Sequence, residues 1–172
     1  MSPQAPTRVG FHEPHENSRG RRQVISKRIL IVDDDTADVL LLESFLKADD
    51  RTIRSVTDAR TAEQAIAAFD PDIVLLDLHM PGLDGFEILR RLRGAHAEFL
   101  PVIVLTADAD PGSRHRALIL GADDFLTKPV DRHDVVLRVR NLLRTRQLYL
   151  ELAQANEALE RQLRKRESDT AS

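Results

Sequence analysis

The stretch IVDDDTADVLLL, residues 31–42, sets Asp33, Asp34 and Asp35 side by side after an apolar run, with no Lys or Arg inside it. Adjacent carboxylates raise one another's pKa, and each is costly to bury without a compensating cation. Further along, Asp77 ends the run DIVLLD, Thr106 ends VIVLT, and Lys128 follows DFLT. Acids with no basic residue among them suit a hard divalent ion with oxygen ligands, Mg2+ above all. Such an ion keeps several waters and takes few protein carboxylates, which leaves positions for a phosphate oxygen. Lys128 then offers a mobile point charge to a phosphoryl group, and Thr106 offers a hydroxyl donor. A carboxylate nucleophile, a Lewis-acid cation, a lysine and a hydroxyl suit phosphoryl transfer, where catalysis is mostly positioning and charge neutralisation.

That chemistry requires elements that bring the residues to one place. RILIVD is an apolar run ending in acid, as expected of a strand buried on both faces. Val39, Leu42, Phe45 and Leu46 follow at helical spacing. TIRSV alternates as a short strand, and Ala62, Ala65, Ile66 and Phe69 mark a second helix. PDIVLLDL is a third strand, opened by Pro71, and DGFEILRRLRG reads as a helix that stops at Gly94. PVIVLTA is a fourth strand, SRHRALILG a short helix ended by Gly121, DDFLTKP a fifth strand, and DRHDVVLRVRNLL begins the last helix. Five βα units in alternation predict an α/β fold, a parallel sheet with helices on both faces. Right-handed crossovers favour the flavodoxin-like, doubly wound (βα)5 order 2-1-3-4-5. In such sheets the site lies beyond the carboxyl ends of the strands, near the switch between strands 1 and 3. Asp33, Asp34, Asp77, Thr106 and Lys128 all fall at that edge.

The 172 residues are 42% apolar and 31% charged, ordinary for a globular chain with one core and some additional material. No apolar stretch approaches a membrane span, no signal-peptide core is present, and the absence of cysteine excludes disulfides and Cys-based metal sites. A cytoplasmic location is the expectation. The net charge of −3 divides unevenly: residues 1–28 carry +4 and the remainder −7, which makes direct nucleic-acid binding by the folded part unattractive. Residues 1–26, rich in Pro, Arg, His, Glu and Ser, read as a disordered basic tail in which His12 and His15 are incidental.

Four segments, ILIVDDD, DIVLLDLHMPGLDG, VIVLTA and GADDFLTKP, resemble in order the receiver domain of bacterial two-component response regulators, over roughly residues 28–145. The resemblance implies that Asp77 is the phosphoacceptor, charged by a histidine kinase or phosphotransfer protein, a self-catalysed transfer and not turnover of a free substrate. It implies Asp34 as a direct Mg2+ ligand, Asp33 acting largely through water, and the backbone carbonyl of His79 as a further ligand beside Asp77. Thr106 and Lys128 would bind the phosphoryl oxygens, and Phe125 takes the place of the aromatic switch residue that moves inward with the threonine. His79 and Asp108, each two residues beyond a site residue, match positions that tune the lifetime of the phosphoryl group.

Plainer roles compete at some positions. Asp35, at a helix start, can cap free N–H groups and complement the helix dipole instead of binding metal. Phe125 packs in the core in any case, His79 can equally be a solvent-facing loop residue, and Pro81-Gly82 and Asp84-Gly85 are turn chemistry. A haloacid-dehalogenase-type phosphatase also places a D-x-D nucleophile after its first strand, and Asp33-x-Asp35 has that spacing. Ala37 stands where that pattern wants Thr or Val, and the pattern leaves DLHMPGLDG unexplained. A receiver-shaped interaction module that is never phosphorylated is a third reading, opposed by the intact Asp, Thr and Lys set.

The last helix runs on. From Val130 to Arg166 there is no Gly or Pro, and a helix from Arg132 to Arg166 would be about 50 Å long at roughly 1.5 Å per residue, a length that suggests a coiled coil. Leu142, Tyr149, Asn156 and Leu163 occupy heptad position a, and Leu152 and Leu159 position d. A buried Asn at a favours a parallel two-stranded register, so a parallel homodimer is expected. Thr145 and Arg166 at d weaken the seam, while Glu157–Arg161 and Glu160–Arg164 are favourable i,i+4 pairs. The division expected is a tail to residue 26, a receiver over 27–145, a coiled-coil extension over 146–167 and a polar tail over 168–172. The expected role is signalling through protein contacts without a DNA-binding output, or as the receiver part of a larger regulator with a cyclic-dinucleotide or kinase module.

Overall fold

The computed structural model describes residues 26–170 apart from 83, 96–98 and 108–110. The expected basic tail therefore lies, but for Ser26, outside the described residues, as does Asp108. The elements alternate as read from the sequence: β1 (Lys27–Val32), α1 (Thr36–Leu46), β2 (Arg51–Val56), α2 (Ala62–Phe69), β3 (Ile73–Asp77), α3 (Gly85–Ala95), β4 (Val102–Thr106), α4 (Pro111–Ile119), β5 (Asp124–Thr127) and α5 (Arg132–Thr170). A short 3-10 turn, Ala59–Thr61, precedes α2. All strand pairs are parallel, in the order β2-β1-β3-β4-β5.

Successive strand residues point to opposite faces, and both faces are dry. Leu30, Val32, Val74, Leu76, Val102 and Val104 pack with Ala62 and Ile66 of α2, Ile88, Leu89 and Leu92 of α3, and Ala117 of α4. Ile29, Ile31, Ile73, Leu75, Ile103 and Leu105 pack instead with Val39, Leu42 and Leu46 of α1 and Val135, Val139 and Leu143 of α5. These two interleaved sets explain why β1, β3 and β4 are continuous apolar runs, whereas the edge strand β2 alternates. The register pairs Val32 with Leu76 and Thr106 with Thr127, so the polar residues that close these strands sit level along one rim.

The helix ends refine the expectation. Gly94 lies inside α3, which ends one residue later at Ala95. Gly121, with φ of 98°, does end the α4 segment, because the left-handed conformation needed there favours a residue without a Cβ. Helix α5 continues through Thr170, past the expected end of the extension at residue 167; no Gly or Pro interrupts the chain there.

The body also holds α5 further along than residue 145. The Arg146 side chain is buried, donates to the Phe99 carbonyl and lies 3.4 Å from Asp72. Lys27 donates to Gln147 at 3.3 Å, and the rings of Phe99 and Tyr149 meet at 5.6 Å. Leu142 is partly buried against the α1–α5 core. Two of the six seam residues, Leu142 and Tyr149, thus have neighbours in their own body. Leu152, Leu159 and Leu163 are 58–61% exposed, and Asn156 is exposed between them.

Candidate functional site

Asp33 directly follows β1 and Asp77 ends β3, so the paired strands carry their carboxylates to adjacent points of the rim. Asp33 is fully buried, Asp77 is 4% exposed and Asp34 is open to solvent. One oxygen from each lies within 4.8 Å of the others. Asp35 turns away: its carboxylate accepts from the Ala37 N–H at 2.8 Å and caps α1. The three adjacent acids therefore divide as expected, two in the crevice and one on the helix.

Lys128 enters from the far side of the crevice, after β5. Its backbone N–H donates to the Thr106 carbonyl at 2.8 Å, which ties the lysine to the end of β4. The ammonium lies 2.8 Å from Asp33, 2.8 Å from Asp38 and 3.4 Å from Asp77. Burial alone would pull the Lys128 ammonium down in pKa, but hydrogen bonds to Asp33 and Asp38 and the charges of Asp77 and Asp33 hold it above the ordinary lysine range. Burial pushes the Asp33 carboxyl up, against the Lys128 and Asp35 N–H bonds that favour its charged form.

Thr106 is fully buried at the end of β4, beside this group. Phe125 is half-buried against the α2–α4 core, and the Arg114 guanidinium lies 5.3 Å from its ring centre. His79 is exposed, and its backbone N–H points to Asp77 Oδ1 at 3.3 Å. The β3–α3 loop is held close beneath the site by Gly85. A Cβ there would strike the Asp77 carbonyl oxygen and come within 2.7 Å of Leu78 Cα. The sequence identifies Gly85 only as a turn residue; its close approach to the Asp77 backbone depends on how α3 docks.

Asp38 was not anticipated. An acid in the first turn of a helix ordinarily complements the dipole, and nothing local indicates that a lysine 90 positions later reaches it. Its place four residues after Asp34, on the helix face nearest the crevice, is the one available signal.

The donor set fits a small, hard cation. Three carboxylates converge, one of them open to the solvent from which a hydrated ion arrives, and within the group only Lys128 carries positive charge.

Residues 29–140 match the family model described as response regulator receiver domain, and the chain belongs to that family. It is 45% identical over 132 residues to the response regulator PleD of Caulobacter vibrioides, covering 76% of this chain and 29% of PleD. It is 42% identical over 117 residues to the response regulator MprA of Mycolicibacterium vanbaalenii, covering 68% of this chain and 50% of MprA. The chain thus spans less than a third to about half of these relatives. A response regulator structure from Chloroflexus aurantiacus superposes with a TM-score of 0.65 at 33% identity, over 69% of this chain and 98% of that one. The beryllofluoride-activated RstA receiver of Klebsiella pneumoniae superposes with a TM-score of 0.64 at 31% identity, over 69% and 99%. Receiver domains generally bind Mg2+ through an acidic pocket and interact with histidine kinases or phosphotransfer proteins. Among the described residues, no helix is long and apolar enough to cross a membrane.

Proposed function

We propose that Asp77 accepts a phosphoryl group from a histidine kinase or phosphotransfer protein. The observation that carries the reading is a nearly buried carboxylate at the end of β3, 3.4 Å from a lysine and within 4.8 Å of two further acids. An Asp77 oxygen attacks phosphorus in line; the new P–O bond forms as the bond to the donor breaks, and the donor leaves with its electron pair. Asp33, Asp34, Asp77 and the His79 carbonyl would hold Mg2+, which when bound neutralises charge on the transferring group. Lys128 and the Thr106 hydroxyl orient and stabilise the phosphoryl oxygens. Phe125 follows Thr106 as the switch, and His79, with Asp108, governs access of the hydrolytic water.

Incubating the chain with Mg2+ and acetyl phosphate tests this reading. Mass spectrometry is expected to locate one acyl phosphate on Asp77, absent in Asp77→Asn. Labelling at Asp33 with turnover of phosphate esters would return the phosphatase, although the Asp35 carboxylate is occupied in capping α1. No labelling even with the kinase partner would leave an interaction module.

The output reading is a parallel homodimer through α5, in which Leu152, Asn156, Leu159 and Leu163 form the seam and protein contacts carry the signal. Three leucines exposed on one helix face support it. A second reading, the receiver part of a larger regulator, is favoured by the 29% of PleD that the chain covers. In both the place of action is that of the kinase's cytoplasmic partner domain.

A further inference from the structure

Asp38 is the one close partner of Lys128 that the proposed phosphoryl chemistry leaves without a role. Its carboxylate is as near to the ammonium as that of Asp33, both at 2.8 Å, while Asp77 is 3.4 Å away. An ammonium has three N–H groups, and here the Asp38 pair draws it toward α1, while Asp77 is the most distant of its three carboxylates. We propose that Asp38 is a positioning residue that parks Lys128 against α1 until Asp77 carries a phosphoryl group, and then releases it. The inference rests on Asp77 being the phosphoacceptor.

Solvation decides which partner lets go. Asp33 is fully buried and Asp77 nearly so, and neither carboxylate regains much hydration when the lysine leaves. The Asp38 side chain is 30% exposed and is rehydrated on release. A phosphoryl group presents more charge and more acceptor oxygens than a single carboxylate, so it outcompetes Asp38 for the ammonium. Transfer of Lys128 from Asp38 to the phosphoryl oxygen leaves every buried charge with a partner, whereas transfer from Asp33 would not. Before loading, Asp38 therefore competes for the lysine and slows the reaction. After loading, a free carboxylate remains in the first turn of α1, where the helix N-terminus tolerates it.

The test uses the full chain with Mg2+, acetyl phosphate and beryllofluoride. It follows Asp77 labelling by mass spectrometry and the Lys128 ammonium by 15N-edited NMR. Losing one charge-assisted partner, Asp38→Asn is expected to label at Asp77 roughly tenfold faster and to bind beryllofluoride roughly tenfold more tightly. Its Lys128 signal, with no ligand added, should move toward the position seen in beryllofluoride-bound wild type. Asp38→Glu keeps the charge and should return the rate toward wild type. Labelling of Asp38→Asn at Asp77 at the wild-type rate, with an unmoved Lys128 signal, overturns the parking role and leaves the phosphoacceptor reading standing. Faster labelling that Asp38→Glu shares equally also overturns it, because charge pairing would then not be the cause. If wild type itself is not labelled at Asp77, the phosphoacceptor reading falls and the parking role with it.

Discussion

Asp33, Asp34 and Asp35 are chemically identical neighbours placed in three environments: sealed in the rim, open to solvent, and bonded to the start of α1. The crevice therefore gathers buried negative charge that Lys128 offsets only in part. A cation that binds only the folded chain should stabilise it, by about 2.7 kcal/mol at a hundredfold excess over its dissociation constant. Thermal unfolding with and without Mg2+ measures this. The expected outcome is a rise in Tm with Mg2+ for wild type and little or none for Asp34→Asn; equal responses would remove Asp34 from the ligand set. That Asp35 caps α1 was readable from the sequence, since it stands one turn before the first periodic apolar residue, Val39. The significance of Asp38 was not, because it comes from a contact with Lys128, 90 positions away, that only the folded chain creates.

Among the elements, α3 is seated against the end of β3 by the absence of a side chain. Gly85 meets the Asp77 and Leu78 backbone where even a methyl group has no room, and its N–H donates to the Leu78 carbonyl at 3.2 Å. Gly85→Ala must push α3 away or tilt the end of β3, at a cost of roughly 1–3 kcal/mol for overpacking. Urea unfolding should show that loss together with slower labelling of Asp77. Unchanged stability would mean that the loop yields without cost. Both helical faces and most element limits followed from apolar runs and periodicity, since those patterns record burial directly, and the sheet order followed from the handedness of the crossovers. The tight seat of Gly85 and the reach of Arg93 to the Gly121 and Leu100 carbonyls, at 2.7 and 2.6 Å, depend on how loops fold back on the helix and leave no periodic pattern.

At the scale of the whole molecule, α5 belongs to the body over its first turns and stands beyond it for the rest. The heptad reading located the exposed leucines, but it could not tell that Leu142 and Tyr149 are engaged by the body, because the same apolar spacing serves either surface. Sedimentation of the full chain should give a dimer, and removal of residues from Glu151 onward a monomer that still labels at Asp77. A full chain that sediments as a monomer would leave those leucines to a different partner. Asn156→Leu should change the oligomeric state if that residue sets the register.

The attachment at Arg146, Gln147 and Tyr149 has a mechanical consequence. From Tyr149 to Thr170 the helix projects about 30 Å at roughly 1.5 Å per residue. With its root gripped at several points, that length acts as a lever: a tilt of about 10° at the grip moves the tip by about 5 Å, on the order of one helical turn. Rearrangements too small to reshape the crevice's own surroundings would thereby be large enough, at the far end, to change which residues meet.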